Sequence, residues 1–224
     1  MQGLFNKLIV ALDSHNIRQA KKQIDLLYPN IKIFKIGSVL FTGYGPSIVN
    51  YASKKGAKIF LDLKYYDIPN TVANAVHQAV KLKVHMISLH IQGGKDMLRA
   101  AVLSAKQQSH LLKLKRPLLI GITVLTSQVA DKEQVLELTR QALEIGLDGV
   151  VCSAQEVPLL RKECGDDFVI ITPGIRAREN TCDDQKRIAT AQQALKAGAD
   201  YIVVGRPITT AKDPLKAAKE ILQQ

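Results

Sequence analysis

The chain has 224 residues, 46% hydrophobic and 23% charged, an ordinary globular composition with enough length for one sizeable core. No window reaches the roughly 18 uninterrupted apolar residues of a membrane span, and Cys152, Cys164 and Cys182 are odd in number and lack CxxC spacing, which argues against a disulfide framework or a zinc site. The net charge of +11 raises nucleic acid as a partner, but the basic residues are dispersed, Trp is absent and aromatic residues are only 5%, so a positive field drawing in a small anionic substrate is the better reading.

The first apolar run, Leu8–Asp13, goes straight into an acidic residue, as a first strand does. Nothing before it has the build of a secretory leader, so a cytoplasmic protein is expected. Seven more runs follow: Ile33–Gly37, Ile59–Lys64, Met86–His90, Leu118–Leu125, Gly149–Ser153, Val169–Pro173 and Tyr201–Gly205. Most are flanked by segments long enough for a helix, and several are apolar throughout, as parallel strands covered on both faces are. Gly56-Ala57-Lys58-Ile59, Gly146-Leu147-Asp148-Gly149 and Gly198-Ala199-Asp200-Tyr201 repeat one pattern. In each, the glycine closes a helix in a left-handed conformation and the chain enters the next strand. Eight strands alternating with helices predict an α/β fold, a single (β/α)8 TIM barrel over residues 1–224. An open doubly wound sheet is the alternative, because periodicity alone does not show closure. Arg176–Arg187 is polar and charged and reads as a loop.

In such a barrel the active site lies at the C-terminal ends of the strands. The third run carries the densest chemistry: Asp62 and Lys64 are two apart and share a strand face, and Asp67 follows where Ile68-Pro69-Asn70 turns toward a helix. With Lys35 from the second strand these residues make an alternating array without net charge. Charges this close are costly to bury unless each is paired. Lys64 between carboxylates is favoured in its protonated form, and a held ammonium can stabilise a developing carbanion and protonate it. A purely structural ion-pair network at the barrel mouth is the alternative. Gly205-Arg206 after strand eight, and Gly174 with Arg176 after strand seven, stand where barrels often hold phosphate. Glycine lets backbone N–H groups approach an anion, and arginine offers a planar fork; a tight turn with a solvated arginine is the plainer reading. Asp13 can accept from sugar hydroxyls or cap a helix. His90 reads as a hydrogen-bonded core histidine, His77 and His85 as helix and surface positions, and Thr126-Ser127 as a ligand contact or a helix start.

Asp62-x-Lys64-x-x-Asp67-Ile68-Pro69-x-Thr71 resembles the signature of the orotidine 5′-phosphate decarboxylase family. Leu12-Asp13, Phe34-Lys35-Ile36-Gly37, Leu125-Thr126, Pro173-Gly174-Ile175-Arg176, Asp184-Gln185 and Val204-Gly205-Arg206-Pro207-Ile208 stand in the same order, so the resemblance runs from Asp13 to Arg206. It implies a homodimer of (β/α)8 barrels that converts orotidine 5′-phosphate to UMP and CO2 in pyrimidine biosynthesis, without metal or organic cofactor. It also implies that Lys64 donates a proton to C6 of the pyrimidine and that Asp62 lies by the departing carboxylate. Lys35 and Asp13 would hold ribose hydroxyls. Asp67 and Thr71 would reach into the neighbouring subunit's site. Thr126 would contact the pyrimidine, and Arg176, Gln185, Gly205 and Arg206 would hold the phosphate. Magnesium-dependent sugar-phosphate decarboxylases and aldolases of the same superfamily share the Asp-x-Lys-x-x-Asp core, and a non-catalytic phosphate-ligand barrel is a further alternative. Ile68 to Thr71 and Gly205-Arg206 favour the orotidine enzymes, and neither nucleic acid nor membrane is expected as a partner.

Overall fold

Every apolar run pairs in parallel with the next, and the last pairs with the first, so the sheet closes on itself. The computed structural model describes residues 2–125, 128, 131–176 and 189–224. The order is α1 (Gln2–Phe5), β1 (Leu8–Ala11), α2 (Ile17–Leu27), β2 (Ile33–Gly37), α3 (Ser38–Tyr44), α4 (Pro46–Lys54), β3 (Lys58–Tyr65), α5 (Pro69–Lys81) and β4 (Met86–His90). A short 3₁₀ turn (Ile91–Gly93) then leads to α6 (Lys95–Leu111), β5 (Leu118–Ile122), α7 (Lys132–Ile145), β6 (Gly149–Val151), α8 (Val157–Cys164), β7 (Val169–Thr172), α9 (Ala191–Lys196), β8 (Tyr201–Val204), α10 (Arg206–Thr209) and α11 (Pro214–Gln223). This is the expected (β/α)8 barrel, and the open-sheet alternative falls.

Two apolar layers hold it. Outward-facing strand residues such as Val10, Phe34, Ile36 and Leu61 pack with Ile24, Val76 and Leu98 of the helices. Inside the barrel Ile9, Ile33, Phe60, Met86, Ile120 and Ile171 fill the lumen, so the lower barrel is a packed core and not a pore. Polar residues start the helices: Asn16 accepts from the backbone of Arg18 and Gln19, Asp213 accepts from Lys216, and Thr190 with Gln193 forms a reciprocal capping box. The three expected glycine stops have φ of 89° at Gly56, 98° at Gly146 and 109° at Gly198. Lys83 and Lys113 take the same left-handed conformation after α5 and α6, with φ of 56° and 52°; the glycine pattern had no means of marking these.

The N-terminal ends of the strands form the end opposite the mouth. Lys7, Lys32 and Lys58 lie there, at the entries to β1, β2 and β3. Part of the net charge therefore sits away from the mouth, and steering of an anion rests on the basic residues that line the mouth itself. His85, expected on the surface, is half-buried at this far end, between the β3 and β5 entries. Burial, helped by Lys58 and Lys115, pushes its pKa down to about 4. The folded state thus holds His85 neutral where the unfolded chain, at about 6.5, takes up a proton. That contribution to stability is full above the unfolded value and is lost as pH falls toward about 4. The melting temperature should therefore drop between pH 7 and pH 5, and His85→Gln should flatten that drop. An identical pH dependence in the variant would assign the loss to other groups.

Candidate active site

Alternate strand residues point into the barrel, and on three neighbouring strands this face changes character near the mouth. Ile33, Phe60 and Met86 are apolar lumen residues, while two positions further along stand Lys35, Asp62 and Ser88. Asp62 and Ser88 each follow a paired residue, Leu61 and Ile87, and so stand level, while Lys35 pairs with Phe60, two residues short of Asp62, and its long side chain closes the gap. Above them opens a cavity of about 460 Å³, the size of a small-ligand site. Its floor is apolar: Ala11, Phe60, Ile122, Val151, Ile171 and Val203. Asp13, Lys35, Asp62 and Lys64 line one side, and Gly174, Arg176, Gly205 and Arg206, with Val124, Leu125 and Pro173, complete the lining.

The charged residues form a chain of contacts. Lys35 Nζ lies 3.4 Å from Asp13 Oδ1 and 3.3 Å from Asp62 Oδ2, and Lys64 Nζ lies 2.8 Å from the same Asp62 oxygen. Ser88 Oγ donates to the other one, Asp62 Oδ1, at 2.8 Å. Asp62 and Lys35 are nearly enclosed, with side chains 8% and 13% exposed, whereas Lys64 is 37% exposed and is the member that faces the cavity. Burial alone would raise the Asp62 pKa, but Lys35, Lys64 and the Ser88 hydroxyl outweigh it and hold the carboxyl below the usual carboxylate range. Burial likewise works against the charge on Lys35, and Asp62 with Asp13 overcomes it, so its pKa stands above the ordinary lysine value. Both groups are ionised at neutral pH.

Lys64 reaches this position by leaving regular strand geometry. Its φ is 51°, a left-handed conformation that costs a non-glycine residue about 1–2 kcal/mol. Leu61 pairs with Ile87 and Tyr65 with Leu89, so four steps along β3 match two along β4. Asp62 and Lys64 sit in this bulge. Simple strand alternation correctly put them together, but the bulge aims the lysine. Such local strain, kept by the surrounding fold, is characteristic of functional sites.

Gly37, at the end of β2 and paired with Asp62, leaves room for the array. Its backbone is ordinary, but a Cβ there would stand 3.2 Å from both Asp13 Oδ1 and Lys35 Nζ. Gly37→Ala is therefore expected to push this pair apart and lower kcat/KM about tenfold, roughly the loss of one charge-assisted contact, with little change in melting temperature. Unchanged kinetics would show that the pair yields without cost.

A family model described as orotidine 5′-phosphate decarboxylase / HUMPS family matches residues 6–221. The chain belongs to this family. Similar proteins named orotidine 5′-phosphate decarboxylase include one from Coxiella burnetii (strain RSA 331 / Henzerling II), 47% identical over 96% of this chain and 94% of its own length. Another, from Legionella pneumophila (strain Paris), is 46% identical over 97% of this chain and 98% of its own. The crystal structure of orotidine 5′-phosphate decarboxylase from Lactobacillus acidophilus superposes with a TM-score of 0.84 at 36% identity, covering 97% of this chain and 98% of that one.

Of the residues that the family resemblance marks, Asp13, Lys35, Asp62, Lys64, Arg176, Gly205 and Arg206 line one cavity. Arg176 is 8% exposed, and its Nη1 donates to the carbonyl of the preceding residue, Ile175, at 3.0 Å; Arg206 is exposed at the start of α10. Asp67 departs from the expected array. Within one chain its place is taken by Asp13, while Asp67 is exposed beyond β3 and accepts from the Ile68 N–H at 2.7 Å. Thr71, in the first turn of α5, is exposed beside it. Thr126 and Gln185, and most of the loop expected over 176–187, lie outside the described residues. His90 differs from the hydrogen-bonded core histidine expected of it: it is half-buried, its ring lies 5.6 Å from that of Tyr66, and its buried Nδ1 has no hydrogen-bond partner among the described residues. Burial, helped by Lys64, lowers its pKa, which keeps a second positive charge away from Lys64 at neutral pH. Ser88 was not singled out from sequence. The one available signal was a lone hydroxyl at an inward position of the apolar run Met86–Leu89.

Proposed function

We propose that this chain decarboxylates orotidine 5′-phosphate to UMP and CO2, the final step of UMP biosynthesis, and that Lys64 protonates C6. The observation that carries the reading is the run Asp13–Lys35–Asp62–Lys64, which ends on a partly exposed ammonium in the cavity. The bond between C6 and the carboxylate breaks, CO2 leaves, and the electron pair remains on C6 in the ring plane, where the π system delocalises it poorly. The Lys64 ammonium stabilises that pair and then gives it a proton, leaving a neutral amine that solvent reprotonates. Because the charges are fixed before reaction, little reorganisation is needed as the carbanion forms. Asp62 pairs with the Lys64 ammonium at 2.8 Å and stands beside the departing carboxylate. Asp13 and Lys35 take ribose hydroxyls, and Arg176 and Arg206, with the Gly205 backbone and Gln185, take the phosphate; Thr126 meets the pyrimidine.

The Asp62 oxygens are already engaged by Lys35, Lys64 and Ser88, so the positive charge in this reading is supplied by lysine, and no cofactor is invoked. The whole chain, 1–224, acts as one catalytic barrel. The working unit is a homodimer in which Asp67 and Thr71 reach the neighbour's site. Tyr66 and Ile68, 63% and 66% exposed beside Asp67, support that reading, since both are large apolar side chains left uncovered by one chain. A cytoplasmic location suits this metabolic role, and among the described residues no helix is long and apolar enough to cross a membrane. The reaction run in D2O tests the chemistry: the proton spectrum of the product should be that of UMP with deuterium at C6 alone. A product that keeps its carboxylate, or deuterium at another carbon, would overturn the reading.

A further inference from the structure

We infer that Ser88 is a positioning residue for this decarboxylation: one hydroxyl ties the Asp62 carboxylate to the Lys64 backbone and so sets where the Lys64 ammonium points. The inference rests on the function proposed above. Ser88 is fully buried on β4, and it is the residue between Ile87 and Leu89, the two register partners that bracket the β3 bulge. Its Oγ accepts from the Lys64 N–H at 2.9 Å and donates to Asp62 Oδ1 at 2.8 Å. A serine hydroxyl has one proton to donate and lone pairs to accept with, so both bonds form at once and the direction of each is fixed.

The hydroxyl solves two problems that the bulge creates. Where the ladder is interrupted, the Lys64 N–H would otherwise be a buried donor without a strand partner. Asp62, with Oδ2 committed to two ammoniums, would also be free to rotate about its terminal bond. Ser88 satisfies the first group and pins the second with the same atom. The left-handed Lys64 backbone and the 2.8 Å contact from Lys64 Nζ to Asp62 are thereby locked to one another. The groups that face Asp62 are Lys35 from β2, Lys64 from β3 and Ser88 from β4, with Asp13 behind Lys35 and His90 at the top of β4. Ser88 is the neutral donor among these, and its loss should make Asp62 easier to protonate.

Ser88→Ala should lower kcat about 10- to 100-fold, the effect of one hydrogen bond to a charged group, while KM for orotidine 5′-phosphate changes less than about threefold, because Ser88 lies below the ligand and outside the cavity lining. The acid limb of the kcat profile should move to higher pH. Ser88→Cys, which keeps the shape in a slightly larger side chain but donates weakly, should behave like alanine, and Ser88→Thr, which retains a hydroxyl, should keep most of the turnover. In the free protein, the Asp62 carboxyl carbon followed by NMR should titrate at higher pH in Ser88→Ala, a readout that needs no activity. Full turnover in the cysteine variant would reduce Ser88 to a space filler. A KM effect with kcat intact, or an unmoved Asp62 titration, would also overturn the inference. Failure of the wild-type chain to decarboxylate orotidine 5′-phosphate would instead remove the function, leaving the carboxyl titration to judge the Ser88 contacts alone.

Discussion

Replacing Lys64 by alanine is expected to lower turnover by at least about 10⁴-fold while UMP binding stays within about tenfold of the wild type. A positioned general acid contributes about 10²–10⁴ and a preorganised electrostatic partner a further 10²–10³, and the proposed reaction gives Lys64 both roles. The substitution removes the ammonium 2.8 Å from Asp62 Oδ2 but leaves Lys35 to hold that carboxylate. Asp62 therefore keeps a cationic partner, and the barrel should keep its fold. Product affinity should survive because the groups assigned to phosphate and ribose stand elsewhere in the cavity lining. Steady-state kinetics with calorimetric UMP titration separate the two effects. Turnover near the wild-type value would remove Lys64 as the proton donor.

The second large effect belongs to Arg206→Ala. Enzymes accelerate reactions by roughly 10⁶- to 10¹⁷-fold, equivalent to about 8–23 kcal/mol, and one lysine does not supply the upper end of that range. Binding energy from the non-reacting phosphate must help to organise the site. Arg206 lines the cavity at the start of α10, directly after Gly205, and is exposed toward an incoming anion. Its loss should reduce kcat/KM for orotidine 5′-phosphate roughly 10- to 150-fold, as expected for a charge-assisted contact. The phosphate-free nucleoside should react almost as slowly with the variant as with the wild type. Equal losses for both substrates would place Arg206 in general stability and not on the phosphate.

Much of this was legible in the sequence because the barrel writes itself in local terms. Strands buried on both faces are apolar throughout, helix stops carry glycine, and the residues just past each strand end fall at the mouth by the geometry of the fold. Asp13, Lys35, Asp62, Lys64, Gly205 and Arg206 were found that way, and the family resemblance gave each a role. What stayed hidden depends on register between strands. Ser88 looks like a small residue in a buried strand until the two-residue slip between β3 and β4 puts its hydroxyl under Lys64. Asp67 looks like a third member of the charge array until the turn carries it away from its own chain's array, where Asp13 is the second carboxylate. His85 sits in a short stretch with no apolar period of its own, and its half-buried position follows only from the β3 and β5 entries on either side. Lys83 and Lys113 end helices as glycine does, a conformation that lysine adopts too rarely for sequence to announce.

In the proposed reaction lysine electrostatics, without a metal, drive the loss of CO2. The most direct measurement is the initial rate of ultraviolet absorbance change on mixing the purified protein with orotidine 5′-phosphate, in buffer alone and after exhaustive treatment with EDTA. Complete conversion to UMP at the same rate in both samples is expected. Activity that vanishes with EDTA and returns with a divalent cation would contradict it.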